Sequence, residues 1–367
     1  MTNSQPSTPA LQRVLSGMRP TGKLHLGNYM GALYNWVRLQ RQYECYFFIA
    51  DWHALTTDYA DTTRVQDNIL DVALDWLSAG LDPGLCPLFV QSWVPQHAEL
   101  HLLLSMITPL GWLERVPTYK EQQENLSGKD LSTYGFLGYP LLQSADILIY
   151  QADLVPVGQD QVAHVELTRE VARRFNGVYP AEPPVLPEPQ ALLTPSPKLP
   201  GTDGRKMSKS YGNTVLMSDP EPLLRQKLKT MVTDPARIRR TDPGNPDVCP
   251  VFDLHKIFSS SETRQKVREG CTSASIGCIE CKGWLADGVV AELAPIQERR
   301  KALEAKPRQV WEILAEGSQR ARTRAEATMR QVRDAMHLPQ PAPPSSTGQH
   351  QATDAAASPV ATSASAR

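Results

Sequence analysis

Two short stretches of this chain combine residue types that suit phosphate binding. The first, His25-Leu26-Gly27-Asn28, follows a glycine-rich loop and opens a predicted helix. A helix start presents free N–H groups and a partial positive charge, and the side chains of His25 and Asn28 can donate hydrogen bonds to phosphate oxygens. Gly27 would let a bulky ligand approach the backbone. Taken alone, the stretch fits an ordinary strand-to-helix turn with a surface histidine equally well.

The residues just before it have the partial pattern of a different phosphate loop. Gly17-x4-Gly22-Lys23 has the glycine and lysine spacing found in nucleoside triphosphatases. Leu24 stands where that loop needs a serine or threonine to hold magnesium. This mismatch argues against a triphosphatase.

The second stretch is Lys206-Met207-Ser208-Lys209-Ser210, which lies about 180 residues later in a polar loop that contains Gly201 and Gly204. Two lysines three residues apart are usually part of a solvated basic turn. They could instead neutralise the charge that develops on a leaving phosphate group. Two compact signatures in this order are far less expected by chance than either one alone, and together they favour phosphate chemistry.

Four cysteines form a third pattern. Cys249, Cys271, Cys278 and Cys281 fall within about 33 residues and end in C-x2-C, a spacing that suits a metal centre with four thiolate ligands. The alternative is that they are ordinary reduced cysteines, which is the interpretation we favour for Cys45 and Cys86. Iron and zinc both bind thiolates, so the spacing leaves the metal open.

The elements that must position these residues alternate along the first half of the chain. Apolar runs at 11–16, 45–51, 87–92 and 153–158 predict strands, and helical spacing at 29–40, 61–80, from about 97, and at 160–175 predicts helices between and after them. This alternation predicts a parallel sheet that is covered on both faces, with ligands at the carboxyl ends of the strands. Residues 180–205 contain eight prolines and predict a long loop, and the pattern from 220 onward is mainly helical.

Composition sets the outer limits. The chain has 367 residues and a net charge of -1, which hides an acidic front and a basic back. Residues 1–224 carry 16 Lys+Arg and 23 Asp+Glu, whereas residues 225–338 carry 21 and 15, which weakly indicates a polyanionic partner for the back half. No apolar run is long enough for a membrane span and the polar start is not a secretory signal, so we expect a cytoplasmic protein without a membrane partner.

At this point the sequence resembles a known family. His25–Asn28 and Lys206–Ser210 are similar to the two signatures of class I aminoacyl-tRNA synthetases. The stretches GNYMGAL, IADWHALT, YPLLQSADILIY and VPVGQDQVAHVELTR resemble the tryptophan-specific family within that class. The resemblance covers roughly residues 13–338 and implies an ATP-dependent enzyme that activates tryptophan and joins it to tRNA(Trp).

The resemblance also implies an α/β fold. We expect a disordered leader at 1–12, a Rossmann-type catalytic domain at 13–219, a mainly helical anticodon-binding domain with the four cysteines at 220–338, and a disordered tail at 339–367. It further implies a homodimer. Some members carry a [4Fe–4S] cluster at nearly the cysteine spacing seen here, with a first gap that differs by about one residue, so zinc remains the alternative.

For ATP, the resemblance implies that Lys206 and Lys209 neutralise the leaving pyrophosphate and that His25 and Asn28 hold the nucleotide phosphates, with Mg²⁺ bridging phosphate oxygens. The residues expected at ATP are Arg19, Thr21, Gly27, Asn28, Gly158, Gln159, Asp160, Lys206, Met207, Ser208 and Lys209. A lysine of the segment 120–129 could also reach ATP, and the sequence does not decide between Lys120 and Lys129.

For tryptophan, the resemblance implies that the carboxylate of Asp146 accepts the indole N–H. The other reading is an aspartate held inside a helix by a backbone or arginine partner, because its flanking residues are apolar. The residues expected at tryptophan are Leu15, Ala50, His53, Tyr139, Gln143, Asp146, Val155, Val157 and Gln161. Gln143, Gln159 and Arg19 depart from the family pattern, where methionine, glutamate and glutamine are frequent, so they affect expected substrate affinity.

Three rivals remain at this stage. The first is a tyrosine-specific relative, against which the ADWHALT segment and the KMSKS form of the second signature speak. The second is a synthetase-like RNA-binding protein without activity, against which both intact signatures and Asp146 speak. The third is the phosphate-loop ATPase already discounted.

Overall fold

The computed structural model describes residues 11–120, 130–193 and 198–340. Within these ranges, five parallel strands form one sheet in the order β3-β2-β1-β4-β5. The strands are β1 (Arg13–Met18), β2 (Glu44–Ile49), β3 (Leu88–Val90), β4 (Leu154–Val157) and β5 (Gln190–Leu193). The prediction of a Rossmann-type parallel sheet is confirmed.

The strand order fixes where a ligand can bind. The chain runs from β1 outward through β2 to β3 and then returns to place β4 on the other side of β1. In such sheets the crevice at the carboxyl ends of the two strands where the order reverses is the usual ligand site. The strand β2 lies between β1 and β3, and helices cover both faces of the sheet. Its unbroken apolar sequence, CYFFI, fits this interior position.

Helices cover both faces of the sheet and make up most of the chain after residue 220, as the sequence predicts. The helices named below are α1 (Leu26–Asn28), α2 (Tyr34–Leu39), α3 (Asp51–Asp58), α4 (Val65–Ala79), α5 (Gln96–Ser105), α6 (Leu110–Glu114), α7 (Tyr134–Ile149), α8 (Val162–Val178), α9 (Glu221–Thr230), α10 (Pro250–Phe258), α11 (Ser261–Thr272), α12 (Cys278–Glu304) and α13 (Pro307–Ala335). A π-helical turn, Tyr29–Leu33, joins α1 to α2.

One sequence prediction of the fold was wrong. The stretch 180–205 was expected to be a loop throughout, but it contains β5, which pairs in parallel with β4 from Leu154↔Gln190 to Val157↔Leu193. Because β5 is a four-residue edge strand with no buried residue, it has neither the length nor the apolar run by which a strand is recognised.

The hydrophobic core does not divide at residue 220. The two large clusters of buried residues each contain sheet residues together with residues of α12 or α13. On α13, Gly317 meets β3 so closely that a Cβ there would lie 2.0 Å from the Leu88 carbonyl oxygen. This glycine therefore lets the last helix lie directly on the backbone of an outer part of the sheet.

The close approach predicts the effect of a single methyl group. Gly317→Ala should lower the free energy of unfolding by roughly 1–3 kcal/mol, because backbone atoms cannot move aside as a flexible side chain can. Gly177→Ala on α8 is the matched control, since a Cβ there meets nothing within 4 Å. Urea unfolding of both variants tests the contact, and equal stabilities would show that α13 does not press on β3.

Candidate active site

A cavity of about 430 Å³ lies at the carboxyl ends of β1 and β4, where the strand order reverses. It has the size of a small-molecule site. All nine residues predicted to meet tryptophan line it, namely Leu15, Ala50, His53, Tyr139, Gln143, Asp146, Val155, Val157 and Gln161. The structure thus brings together residues from both ends of a 147-residue span of sequence (Leu15 to Gln161, counted inclusively).

Asp146 lies at one wall of this cavity, on α7, and its side chain is 1% exposed. His97 Nδ1 and Gln91 Nε2 donate to its Oδ1 at 2.6 and 2.8 Å, and His53 Nε2 lies 2.8 Å from its Oδ2. The sequence left open whether Asp146 has a structural partner or faces a ligand. The structure shows both features, because it has three side-chain partners and it lines the cavity.

These partners decide the charge of Asp146. Burial acts to raise its pKa, but the hydrogen bonds from His53 and His97 outweigh burial and hold the pKa well below its ordinary value. The carboxyl group is therefore ionised at neutral pH. An anionic acceptor on the wall of the cavity favours a ligand that carries an N–H or O–H donor over one that does not.

The cavity lining also contains a polar group that the sequence analysis did not predict. His164, which is 2% exposed, shares Thr118 with Tyr139: Thr118 Oγ1 lies 2.5 Å from His164 Nε2 and 3.1 Å from the Tyr139 hydroxyl. Burial lowers the pKa of His164 to about 4, with a smaller contribution from the neighbouring His53, so the ring of His164 is neutral. Its Nδ1 is buried without a hydrogen-bond partner in the part of the chain that is described, and it lines the cavity. The sequence could have indicated His164, because it lies about one helical turn after Gln161, which was predicted to contact the substrate.

The first signature forms a closed helix cap. His25 Nδ1 accepts from the Asn28 N–H, and the Asn28 side chain accepts from the His25 N–H. Burial, followed by the charges of Lys209 and Lys206, lowers the pKa of His25 to about 4. The neutral ring with an accepting Nδ1 must carry its proton on Nε2, which leaves Nε2 as a donor.

This cap explains the glycine at position 27 without a ligand. The His25 ring folds back so closely that a Cβ on Gly27 would lie 2.9 Å from it and 3.8 Å from Met207 Cβ. Glycine is therefore favoured by the cap itself, whether or not a ligand approaches, whereas the distance to Met207 is an ordinary van der Waals contact. The N–H groups of Leu26 and Asn28 also have partners inside the protein, so the helix start offers fewer free donors than the sequence suggested.

The two signatures are bonded to each other. The N–H of Leu26 donates to the Val215 carbonyl and the N–H of Met217 donates to the Leu24 carbonyl, both at 2.9 Å. Lys209 Nζ adds hydrogen bonds to the carbonyls of Thr21 and Gly22, at 2.8 and 2.9 Å. Hydrogen bonds therefore join the second signature to the loop before the first signature, and the first signature to the segment after the second.

The second signature is shaped by a residue that its pattern did not single out. Asn213, which is 2% exposed, accepts from the Ser208 N–H at 2.8 Å and donates to Asp203 and to the Lys206 carbonyl. Met207, expected at ATP, is 4% exposed and packs into the core, so its side chain anchors the loop rather than facing a ligand. Lys206 is exposed.

Fewer of the residues predicted to bind ATP line this cavity than of the residues predicted to bind tryptophan. Of the ATP set, Arg19 and Gly158 line the cavity, and the rest lie outside its wall. Arg19 Nη2 is bonded to Thr57 and to Asp58, the latter at 3.2 Å. Gln159 and Asp160 form an exposed turn. Lys129 lies outside the described residues.

The four late cysteines gather in one region. Cys271 is close enough to Cys249 and Cys278 to feel their charge, and Cys281 is close enough to feel all three others. Even so, across residues 11–120, 130–193 and 198–340, no three or more histidine, cysteine, aspartate or glutamate side chains stand in an arrangement that could hold a metal ion. In the same ranges, no helix combines the length and apolarity needed to cross a membrane.

Comparison with known proteins identifies the family. Residues 10–294 match the model of the class I tRNA synthetases of the W and Y type. The chain is 55% identical to the tryptophan–tRNA ligase of Thermotoga maritima, over 89% of this chain and 99% of that protein, and 49% identical to that of Ralstonia nicotianae, over 89% and 98%. The tryptophanyl-tRNA synthetase of Campylobacter jejuni, solved with ADP and tryptophan, superposes with a TM-score of 0.80 at 33% identity and covers 89% of this chain and 100% of its own. The chain therefore belongs to the class I tRNA synthetases of the tryptophan and tyrosine family, and within that family to the tryptophan–tRNA ligases.

Proposed function

We propose that this chain activates L-tryptophan in the cavity between β1 and β4 and then transfers it to tRNA(Trp). In the first step the tryptophan carboxylate attacks the α-phosphorus of ATP, which forms tryptophanyl-adenylate and releases pyrophosphate. In the second step a ribose hydroxyl of the tRNA terminal adenosine attacks the activated carbonyl and AMP leaves. The observation that carries the proposal is the ionised Asp146 facing a cavity whose nine predicted residues come together.

Tryptophan fits the donors and acceptors of this cavity. The indole N–H is a donor without acceptor capacity, and Asp146 Oδ2 is the carboxylate oxygen with only one partner, His53. Val155 and Val157, both buried in the cavity wall, would pack on the ring. The polar end of the substrate would meet Tyr139, Gln161 and His53, which all line the cavity.

ATP, as its magnesium complex, would lie against the linked signatures. Its phosphates would lie against His25 Nε2, the helix start at Gly27 and Asn28, and the lysines at positions 206 and 209. In the structure Lys209 is bonded to the carbonyls of Thr21 and Gly22. A phosphate oxygen is a stronger acceptor than a carbonyl, so ATP should draw the Lys209 ammonium group toward the charge that develops in the transition state.

Transfer RNA would meet the helical region 220–338, proposed as the anticodon-binding domain. The net positive charge of this region supports that role, although several of its arginines serve the protein itself. Arg320 and Arg322 donate to the carbonyls of Pro83 and Trp93, and Arg237 is 9% exposed. Arg239 and Arg240 are exposed and therefore remain as candidates for phosphate contacts. Charging of tRNA on this proposal takes place in the cytoplasm.

A homodimer is supported by an exposed apolar surface. Leu102 on α5 and Met106, which directly follows α5, are 55% and 67% exposed, and Leu110 at the start of α6 is 60% exposed. Three large apolar side chains within nine residues are more than the scattered exposure normal for a monomer surface. A second copy of the chain would cover them.

An iron–sulfur centre at Cys249, Cys271, Cys278 and Cys281 is supported by the chemistry and nearness of the donors. The four thiols share one region, and Gly244 leaves room there, since a Cβ on it would lie 2.6 Å from Cys271 Sγ. When bound, such a cluster would cross-link α10, α11 and α12 through its ligands, and zinc is the alternative metal. Amino-acid activation transfers no electron, so the centre would fix the shape of the helical region.

The first half-reaction tests the proposed function. Tryptophan alone among the twenty amino acids should support ATP–pyrophosphate exchange. Lys209→Ala should lower the exchange rate on the order of a hundredfold with little change in the KM for tryptophan, because the charge that Lys209 meets appears late. Lys229→Ala, an exposed lysine on α9, is the control. Exchange with another amino acid, or none with tryptophan, would overturn the assignment.

The same preparation tests the transfer step. Replacing Arg239 and Arg240 by alanine should raise the KM for tRNA(Trp) and reduce the salt slope of tRNA binding by about two units, while pyrophosphate exchange is spared. Arg308→Ala, which removes an arginine that is 92% exposed elsewhere in the region, should change neither. Equal losses in exchange and transfer would make the two arginines structural.

Sedimentation velocity tests the homodimer. The full chain should sediment as two copies, and Met106→Glu should give single copies because it places a charge in the apolar contact. Leu85→Glu charges a different exposed leucine, 45% exposed, and should leave the dimer intact. A single-chain mass for the unaltered protein would contradict the proposal.

Metal analysis tests the cysteine centre. Protein purified without oxygen should be brown and hold about four irons per chain, and Cys278→Ser should lose the iron while Cys86→Ser keeps it. Colourless protein with one tightly held zinc would overturn iron and retain the ligands. Protein without metal, with four freely titrating thiols, would overturn both.

A further inference from the structure

A buried chain of polar groups lies behind Asp146, on the side away from the cavity. The Tyr150 hydroxyl lies 2.8 Å from His97 Nε2, and His97 Nδ1 lies 2.6 Å from Asp146 Oδ1. Gln91 Nε2 donates to the same oxygen at 2.8 Å. Tyr150, His97 and Gln91 are each 0% exposed, and none of them lines the cavity. Their hydrogen bonds reach the cavity through Asp146.

The positions of the protons in this row of polar groups follow from counting hydrogen-bond donors and acceptors. Within the described residues, the hydrogen bond of the Tyr150 hydroxyl is to His97 Nε2. A buried hydroxyl proton without an acceptor costs roughly 1–3 kcal/mol, so Tyr150 donates and His97 Nε2 accepts. The single ring proton of His97 then sits on Nδ1, where it donates to Asp146. A second proton on His97 would leave the Tyr150 hydroxyl proton without an acceptor.

The same count of donors and acceptors shows which oxygen of Asp146 is open to a ligand. With His97 and Gln91 both donating, the two lone pairs of Asp146 Oδ1 are occupied. Oδ2 has one partner, His53, whose side chain is 11% exposed on the cavity side. One lone pair of Oδ2 is therefore left for a donor in the cavity. Since His97 and Gln91 are neutral, they fix the carboxylate without cancelling its charge.

We propose that Tyr150 and His97 are positioning residues for tryptophan selection: Tyr150 holds His97 neutral, and His97 with Gln91 turns the charged Oδ2 of Asp146 toward the indole N–H. This inference rests on the proposed function, because it assumes that tryptophan occupies the cavity. It adds a prediction that the proposed function does not make. The charge of the acceptor should depend on a hydroxyl group that never touches the substrate.

The surroundings of His97 leave few other groups that could set its charge. The rings of Phe48 and Phe89 lie against it, with centroids 5.8 and 6.2 Å away. Among the described residues, the titratable groups bonded to it are Asp146 and Tyr150, and Asp146 in turn lies beside His53 and His101. From α13, Glu326 bonds Gln96, and Arg333 bonds Glu326 and Glu99, so these charges are already paired.

The test is the pH profile of the KM for tryptophan in pyrophosphate exchange. Tyr150→Phe keeps the ring and removes the hydroxyl proton that occupies His97 Nε2, so that nitrogen is open to a second proton as the pH falls. The imidazolium would cancel the charge of Asp146. As the pH falls from about 8.5 to about 6, the KM of the variant for tryptophan should therefore rise about tenfold, whereas the KM of the unaltered enzyme should stay constant. The kcat of the variant and its KM for ATP should match those of the unaltered enzyme at each pH.

A second substitution separates this role from simple packing. A glutamine at position 97 can donate to Oδ1 but cannot titrate. Tyr150→Phe combined with His97→Gln should therefore have a flat profile, even if its KM is several-fold higher throughout. Tyr46→Phe removes a hydroxyl that bonds Glu44 from a ring stacked on Tyr150, and it should leave the profile unchanged. Thermal unfolding of each variant shows whether it is folded.

The outcomes distinguish this inference from the function on which it rests. If the unaltered protein exchanges with tryptophan and Asp146→Asn weakens the preference for tryptophan over phenylalanine and tyrosine, the role of Asp146 stands. A flat profile for folded Tyr150→Phe would then overturn the inference alone. A pH-dependent KM that persists in the double variant would also overturn it, because the titrating group would not be His97.

Discussion

The active-site region depends on one short backbone pairing between distant parts of the chain. Residue His25 bridges Leu216 in antiparallel fashion, and the hydrogen bonds on either side join Leu26 to Val215 and Met217 to Leu24. The pairing holds the first signature against the segment that directly follows the second. With Met207 packed near Gly27 and Lys209 bonded to the first loop, the two stretches proposed to bind phosphate form a single unit.

Helix α12 holds this unit from outside the sheet. The guanidinium group of Arg300 is 4% exposed and pairs with Asp71 and Asp75 of α4, and the second oxygen of Asp75 accepts from the Leu24 N–H at 2.8 Å. Gln297 donates to the carbonyls of Met217 and Asp219. A buried ion pair is strongly destabilised when one partner is removed. The region proposed for tRNA binding is thus physically continuous with the loops proposed for ATP.

The sequence predicts well what depends on local pattern. The four longer apolar runs became β1 to β4, and the nine residues proposed for tryptophan line one cavity. It predicts poorly what depends on partners far along the chain. Asn213 organises a loop through three hydrogen bonds, and Arg322 reaches the Trp93 carbonyl across 229 residues of sequence. Neither residue differs locally from an exposed polar side chain, so their roles become visible only when the fold places their partners.

The surroundings of Asp146 show why neutral partners matter for selection. An isolated buried carboxylate would become protonated, and a protonated acid would lose most of its preference for a donor. An arginine partner would keep it ionised, but the pair would be neutral overall and the guanidinium group would compete with the ligand for both oxygens. Gln91 stabilises the charge with a hydrogen bond that adds no positive charge, and His97 does the same in the protonation state proposed above. The carboxylate thus remains anionic, fixed in orientation, and open on the one edge that faces the cavity.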